Sequence, residues 1–204
     1  PKDFTDDVIE AIADCEKVSK LVHLPLQSGS SRVLKNMNRK YTKEQYLNLV
    51  EKMKSKIPNV KFSTDIIVGF PGETEEDFED TLDVVKKVNY EQIFMFIYSR
   101  RVGTPGDKMT NQVPEDIKHK RFDRLKKLYE DGIGKNNEEY IGTIQRILVE
   151  GYSKNNQSVL TGRTDSNKVV IFEGEGDLIG TSIDVKIISE HMWYLKGEKI
   201  NEKA

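Results

Sequence analysis

The chain has 204 residues, enough for one large or two small domains with a buried core, and its 32 Lys and Arg against 34 Asp and Glu leave a net charge of −2. That balance excludes a chain-wide field attracting nucleic acid or membrane, so any such binding must come from local patches. Cys15 is the only cysteine, which excludes an internal disulfide and any zinc site or cluster held by several thiolates of this chain.

No apolar run approaches the roughly 18 residues of a spanning helix, and no signal peptide opens the chain, so we expect a cytoplasmic protein with no membrane partner. Because it starts at Pro1 rather than Met, we expect a piece of something longer. Phe4, Val8, Ile9 and Ile12 predict a short amphipathic helix over Asp3 to Asp14, closed by Cys15 as a small buried residue. Leu21 to Leu24 predict a strand that Pro25 ends, and Gln27 to Arg32, QSGSSR, reads as a loop of small residues. Thr42 with Gln45 forms a capping box, and Tyr46, Leu47, Val50, Met53 and Ile57 mark the apolar stripe of a helix that Pro58 stops.

The stretch Thr64 to Asp77, TDIIVGFPGETEED, organises the rest. Ile66, Ile67 and Val68, within a strand from Phe62 to Val68, are β-branched and too short a run for a helix, so they predict burial on both faces. Gly69, Pro71 and Gly72 break the strand, and Thr74 with Asp77 caps a helix reaching Val88. Ile93 to Tyr98 form a third strand, and the alternation of strand and helix predicts parallel βαβ units. After the loop Gly103 to Gly106, Pro114 suits the first position of a long helix carrying Ile117, Leu125 and Leu128. From Gly142 onward five short β-branched runs, Thr143 to Val149, Ser158 to Thr161, Lys168 to Phe172, Ser182 to Ile188 and Met192 to Leu195, alternate with turns such as Lys154-Asn155-Asn156. They predict a small antiparallel OB-like β-barrel. We therefore expect an α/β domain over 1–138 and a barrel over 139–204.

Glu73, Glu75, Glu76 and Asp77 crowd the start of a helix, where a phosphate would otherwise dock, which argues against a phosphate loop. Ligands of parallel α/β sheets sit beyond the carboxyl ends of the strands, and there Gln27, Arg39 and Asp65 recur. An Arg suits a carboxylate, an Asp accepts both hydroxyls of a ribose and an amide serves either, so together they could hold a nucleoside joined to an amino acid. Equally, Asp65 could cap or bridge and Arg39 could be solvated. Lys118, Lys120, Arg121, Arg124, Lys126 and Lys127 read as a solvated helix face, and Trp193 as barrel core. His23, His119 and His191 are scattered, so no metal ligand and no catalytic residue is assigned.

HLPLQSGSSRVLKNMNRKYT, TDIIVGFPGETEEDF and FIYSRRVGTPG, in that order, resemble the later half of the radical S-adenosylmethionine methylthiotransferases, and LTGRTDSNKVV, Leu160 to Val170, is similar to their TRAM domain. HLPLQSGS with MNRKYT looks like the MiaB type, which acts on tRNA, rather than the type that acts on a ribosomal protein. The resemblance implies the C-terminal half of an open parallel α/β barrel followed by a TRAM barrel. It implies S-adenosylmethionine as cofactor, with Gln27, Arg39 and Asp65 near its methionine and ribose, and with Ile67, Val68, Tyr98 and Ser99 in the strand motifs around adenine. The family cleaves the sulfonium with an electron from a four-iron, four-sulfur cluster held by CxxxCxxC, and carries a second such cluster in a further domain. This chain has neither set of cysteines, so both clusters would be ligated in a missing N-terminal half, and the chain alone would be inactive.

The implied reaction is methylthiolation at C2 of N6-isopentenyl adenosine beside the anticodon, with the tRNA anticodon stem-loop as partner. Arg163 and Lys168, flanking the turn TDSN, and Lys154 are the expected RNA contacts of the barrel. Threonylcarbamoyl adenosine or a ribosomal protein as target, or a cofactor-free RNA-binding module, are the alternatives.

Overall fold

In the computed structural model three strands, β1 (Leu21–His23), β2 (Lys61–Val68) and β3 (Gln92–Ile97), pair in parallel in that order. The structure describes residues 1, 3–154 and 156–200, so Asn155 of the expected Lys154-Asn155-Asn156 turn lies outside the described residues, as do 201–204. The chain divides into two compact units, Pro1–Glu130 and Asp131–Ala204.

Within the first unit, α1 (Asp6–Asp14) precedes β1, α2 (Ser31–Asn36) and α3 (Lys43–Lys56) lead to β2, and α4 (Glu75–Val88) leads to β3. These are the expected βαβ units. Both capping boxes form, Thr42 with Gln45 and Thr74 with Asp77, and Asn89 ends α4 in the left-handed region at φ 58°. Two local readings need correction. The expected loop QSGSSR runs into a short helix, because Ser30 caps α2 by accepting from the Val33 N–H. Cys15 is exposed rather than buried, since it caps the C-terminus of α1 beyond its buried residue Ile9.

The sheet is also not buried on both faces. Along β2 the side chains of Phe62, Thr64, Ile66 and Val68 are buried, whereas Asp65 and Ile67 are only half-buried. In register with them on β3 lie Phe94, 43% exposed, and Phe96, 50% exposed. Strand alternation therefore gives the sheet one covered and one open face. Three apolar residues in a row concealed that difference, because Ile67 sits on the open side.

The acidic start of α4 is neutralised on two sides. Asp77 accepts from Thr74 N (2.7 Å), Thr74 Oγ1 (2.9 Å) and Ser30 Oγ (2.6 Å), and pairs with Arg32. Gly29 packs against the same helix: its N–H donates to Thr81 Oγ1 at 2.9 Å, and a Cβ there would lie 2.4 Å from Thr81 Cα. On the other side stands α6 (Glu115–Glu138), which follows the short α5 (Pro105–Lys108). Buried Glu73 pairs with buried Arg121 at 2.8 Å, and Glu75 and Glu79 pair with Arg124, whose guanidinium also stacks 5.0 Å from the Phe78 ring. Lys118, 2% exposed, pairs with Glu115 and donates to the Tyr98 carbonyl at 3.2 Å. The basic run on α6 is thus a solvated face only in part: Lys120, Lys126 and Lys127 are exposed, whereas Lys118 and Arg121 are buried. Lys118, Arg121 and Arg124 are spent on neighbouring carboxylates and carbonyls.

In the second unit five strands, β4 (Ile144–Ser153), β5 (Asn156–Thr164), β6 (Val169–Phe172), β7 (Ser182–His191) and β8 (Tyr194–Lys199), close in the order β4-β5-β6-β8-β7. Ile147, Val149, Leu160, Val170, Phe172, Val185, Ile187 and Leu195 fill the interior. The pairing is antiparallel except between β6 and β8, which run parallel with Val170 opposite Leu195, so the barrel is not wholly antiparallel. Closure in this order forces that pair, because β7 intervenes in sequence between the two strands. A bulge at Glu150, between Val149 and Gly151, interrupts the pairing of β4 with β5. No helix among the described residues is long and apolar enough to cross a membrane.

Burial pushes the Asp77 carboxyl up, but the hydrogen bonds from Arg32, Ser30 and Thr74 outweigh it and hold its pKa at about 2, against an ordinary 3.8. A depressed folded pKa contributes stability that is present above pH 3.8 and lost as pH falls towards 2. Asp77→Asn should therefore cost on the order of 2 kcal/mol near neutral pH, with the gap to wild type closing at acid pH. Denaturant titrations of both proteins across pH check this, and a gap that stays constant down to pH 2 contradicts it.

Candidate functional site

The site lies at the carboxyl ends of the three strands. Gln27 follows β1 and extends the sheet as a single bridge, its N–H donating to the Asp65 carbonyl (2.8 Å) and its carbonyl accepting from the Ile67 N–H (2.9 Å). It does so in the left-handed region at φ 68°, uncommon for a residue with a side chain. Its Oε1 accepts from Arg39 at 3.1 Å. Arg39 is fixed in turn by its N–H donating to the Leu34 carbonyl, after Asn38 has turned the chain at φ 59°.

Asp65 and Ile67 project from the open face of β2. The Asp65 carboxylate lies 3.5 Å from His23 Nε2, and His23 Nδ1 lies 3.0 Å from Ser63 Oγ. Beyond β3, Tyr98 N–H donates to the Val68 carbonyl at 2.9 Å and its ring meets Phe70 edge-on at 5.1 Å. Gly106 makes room for that ring, since a Cβ there would stand 2.6 Å from Tyr98 Oη. The buried Tyr98 Oη has no hydrogen-bond partner among the described residues.

These residues enclose a cavity of ≈ 730 Å³. Six of the seven residues expected at a cofactor, Gln27, Arg39, Asp65, Ile67, Tyr98 and Ser99, line it. Val68 does not: alternation along β2 turns its side chain to the covered face, where it is 1% exposed. Phe70, Phe96, Arg101 and Gly106 also line the cavity and were not singled out from the sequence. All four fall inside motifs already quoted, so only their orientation was hidden. Glu73 is absent from the lining; burial pushes its carboxyl up, and the Gly69 N–H and Arg121 hold it as part of the helix start.

On the barrel, Lys154 is exposed, whereas Lys168 is only 7% exposed and does not offer its side chain to the surface. Arg163 is half-exposed and occupied: its Nε lies 3.1 Å from both Glu150 carboxylate oxygens and it donates to Asn167. Trp193, expected in the core, is 58% exposed in the turn between β7 and β8, beside Met192 at 45%. The barrel interior is filled by smaller side chains and Phe172, and the indole is left at the hairpin tip.

Comparison with known proteins bears on this site. Residues 1–85 match the Radical SAM superfamily and residues 138–200 the TRAM domain. The chain is 58% identical over 198 residues, 97% of its length, to the tRNA-2-methylthio-N(6)-dimethylallyladenosine synthase of Clostridium beijerinckii. It is 56% identical over 200 residues to the protein of that name from Clostridium botulinum strain Hall, and 54% identical to that from Clostridium tetani. It spans 44% of the length of each of these relatives. The similarity to these relatives, like the resemblance carried by the motifs, holds along nearly all of the chain.

The donor set of the cavity fits S-adenosylmethionine. It offers a cation for a carboxylate, a half-exposed carboxylate for a ribose diol, apolar walls for a base, and an orphaned phenol for one further polar group. The chain's residues do not fit an iron–sulfur cluster. Cys15 is its only thiol and is exposed at the end of α1, and no group of three potential metal ligands exists among the described residues.

An orphaned buried hydroxyl is a liability until a ligand satisfies it. Tyr98→Phe should leave the ligand-free chain as stable or more stable, by up to about 1 to 3 kcal/mol. Chemical denaturation measures this, and a clear loss of stability would mean that the phenol has a protein partner in solution.

Proposed function

We propose that this chain is the cofactor-orienting and RNA-placing portion of a radical S-adenosylmethionine methylthiotransferase acting on tRNA. The observation that carries the reading is the convergence of Gln27, Arg39, Asp65, Ile67, Tyr98 and Ser99, spread over 73 positions of sequence from 27 to 99, on one cavity at the carboxyl ends of parallel strands. In this reading β1 to β3 are the C-terminal half of an open parallel α/β barrel. The remaining strands, and both four-iron, four-sulfur clusters, belong to an N-terminal segment outside this chain, which alone is inactive. The target is C2 of N6-isopentenyl (dimethylallyl) adenosine beside the anticodon, in tRNA of the cytoplasm, and support for that nucleoside is the name borne by the relatives.

Bound S-adenosylmethionine with a reduced cluster supplies the radical chemistry, and the protein supplies placement. Arg39, steadied by Gln27, takes the methionine carboxylate through a charge-assisted pair. Asp65 accepts from the ribose hydroxyls, Ile67 lies against the adenine, and Tyr98 Oη gains the partner it lacks. The barrel holds the anticodon stem-loop through Lys154 and Arg163, with Trp193 as a surface on which an unpaired base stacks. Buried Lys168 is left out of that contact.

Arg39→Ala and Asp65→Asn should each weaken S-adenosylmethionine binding by about 1.5 to 3 kcal/mol, roughly ten- to a hundredfold, in a chain that remains folded. Calorimetric titration is the measurement, and unchanged dissociation constants would remove the cofactor site.

Trp193 is the only tryptophan, so docking of an anticodon stem-loop on the barrel should read directly as quenching of its fluorescence, and Trp193→Ala should cost about 1 to 3 kcal/mol of affinity. Binding without quenching, and with undiminished affinity in the variant, would mean that RNA is held elsewhere.

A further inference from the structure

Six arginines lie in the first unit, and five of them are engaged: Arg32 with Asp77, Arg39 with Gln27, Arg100 with Asp107, Arg121 with Glu73, and Arg124 with Glu75 and Glu79. Arg101 is the exception. Its side chain makes no hydrogen bond or ion pair among the described residues, although Arg100 beside it is locked to the Asp107 carboxylate at 3.0 Å and the Asp107 carbonyl at 2.8 Å. Arg101 is not on a slack loop. Its carbonyl accepts from both the N–H (3.1 Å) and the Oγ1 (2.8 Å) of Thr104, and Thr104 is in turn the N-cap of α5, accepting from the Asp107 N–H. A fixed stem thus carries a free guanidinium, and Arg101 is part of the cavity lining.

The charge inventory of the cavity says what that guanidinium is for. Arg39 and Arg101 line it against a single carboxylate, Asp65. S-adenosylmethionine brings one carboxylate but also an ammonium and a sulfonium, so it enters as a net cation. Once Arg39 has met the carboxylate, the filled cavity holds surplus positive charge, and Arg101 faces none of the cofactor's negative groups. Arg101 is exposed and so open to a second anion arriving from solvent. An arginine fork is suited to the paired oxygens of a phosphate.

We infer that Arg101 is a phosphodiester subsite at this cavity, which grips the backbone phosphate next to the nucleotide whose base is presented to the cofactor. The inference rests on the RNA-modifying reading proposed above and deepens it: one backbone contact is made by the radical SAM segment itself, separate from any made by the barrel. Such a contact fixes register without reading sequence.

The test measures an anticodon stem-loop RNA binding to the chain by fluorescence anisotropy across a salt series, for wild type, Arg101→Ala and Arg101→Lys, with calorimetric titration of S-adenosylmethionine into each. Arg101→Ala should lose about tenfold in RNA affinity, as expected for one charge-assisted hydrogen bond. It should also lower the slope of log affinity against log salt by about 0.7, the value for one lost phosphate contact on a single strand. Arg101→Lys should keep the slope and lose part of the affinity, because a point charge replaces the fork. Cofactor affinity should not fall in either variant, since neither adds positive charge to the cavity. RNA affinity and slope equal to wild type in Arg101→Ala, or weakened cofactor binding with RNA binding intact, would overturn the subsite while leaving the RNA-modifying reading in place. A wild-type chain that binds the cofactor but not the stem-loop would overturn both.

Discussion

A helix that opens with Glu75, Glu76 and Asp77, just after Glu73, places four carboxylates within five residues of chain. The partial positive charge of the helix N-terminus offsets some of that repulsion, and the capping box uses one carboxylate internally, but neither is enough to bury the other groups. The remainder is met by cations from two directions, Arg32 of α2 and Arg121 with Arg124 of α6. Such pairs are weak evidence for net stability, because desolvation offsets most of the Coulomb gain. Removing one partner of the pair buried on both sides, Glu73 with Arg121, is another matter, since it strands a buried charge at a cost of about 3 to 5 kcal/mol. The network therefore acts as a constraint on position.

Both walls of the cavity hang on that constraint. Asp77 holds Ser30 and Arg32, which sit between Gln27 and Arg39, so the start of α4 sets where the amide and the guanidinium of the cavity stand. On the opposite wall, α6 is tied to Glu73 through Arg121, and one turn earlier Lys118 reaches the Tyr98 carbonyl. Gly29 and Gly106 complete the arrangement by allowing backbone to approach helix and ring more closely than any side chain would permit. A row of acids that looks unsuited to a ligand site is what positions the site. It repels anions from the helix start and leaves the arginines of the cavity as the places where negative groups can bind.

The elements were readable in the sequence because local rules set them. Capping boxes at Thr42 and Thr74, the β-branched run into Val68, and the change of texture after Gly142 each depend on residues a few positions apart. The residues of the cavity were legible for a different reason, the motifs that carry the family resemblance. Geometry decides the rest. Ile67 and Val68 are alike in chemistry, yet one lines the cavity and the other fills the core, because a strand reverses its face at every residue. The fate of Arg121 and Arg124 depends on carboxylates 45 to 49 residues away, as in Arg124 with Glu79, and nothing in their own spacing reveals it. Lys168 and Trp193 exchanged their expected places, the cation buried and the indole exposed, because interior volume in a closed five-stranded barrel is taken by the inward residues of each strand.

The same pairing of charges bears on how such a chain could hold a polyanion at a net charge of −2. Bulk attraction is unavailable, and cations already matched to carboxylates, such as Arg163 with Glu150, must give up a partner before they gain a phosphate. Stacking on an exposed aromatic surface displaces no carboxylate, and every base presents a π-face. A surface of this kind would bind RNA with a shallow salt dependence and little affinity for duplex, whose bases are not available to stack. Discrimination then falls to the few unmatched cations and to the shape of the cavity. Under the RNA-modifying reading proposed above, that division suits the task of finding one unpaired nucleotide among many phosphates, since strong general attraction would hold the chain on the wrong ones.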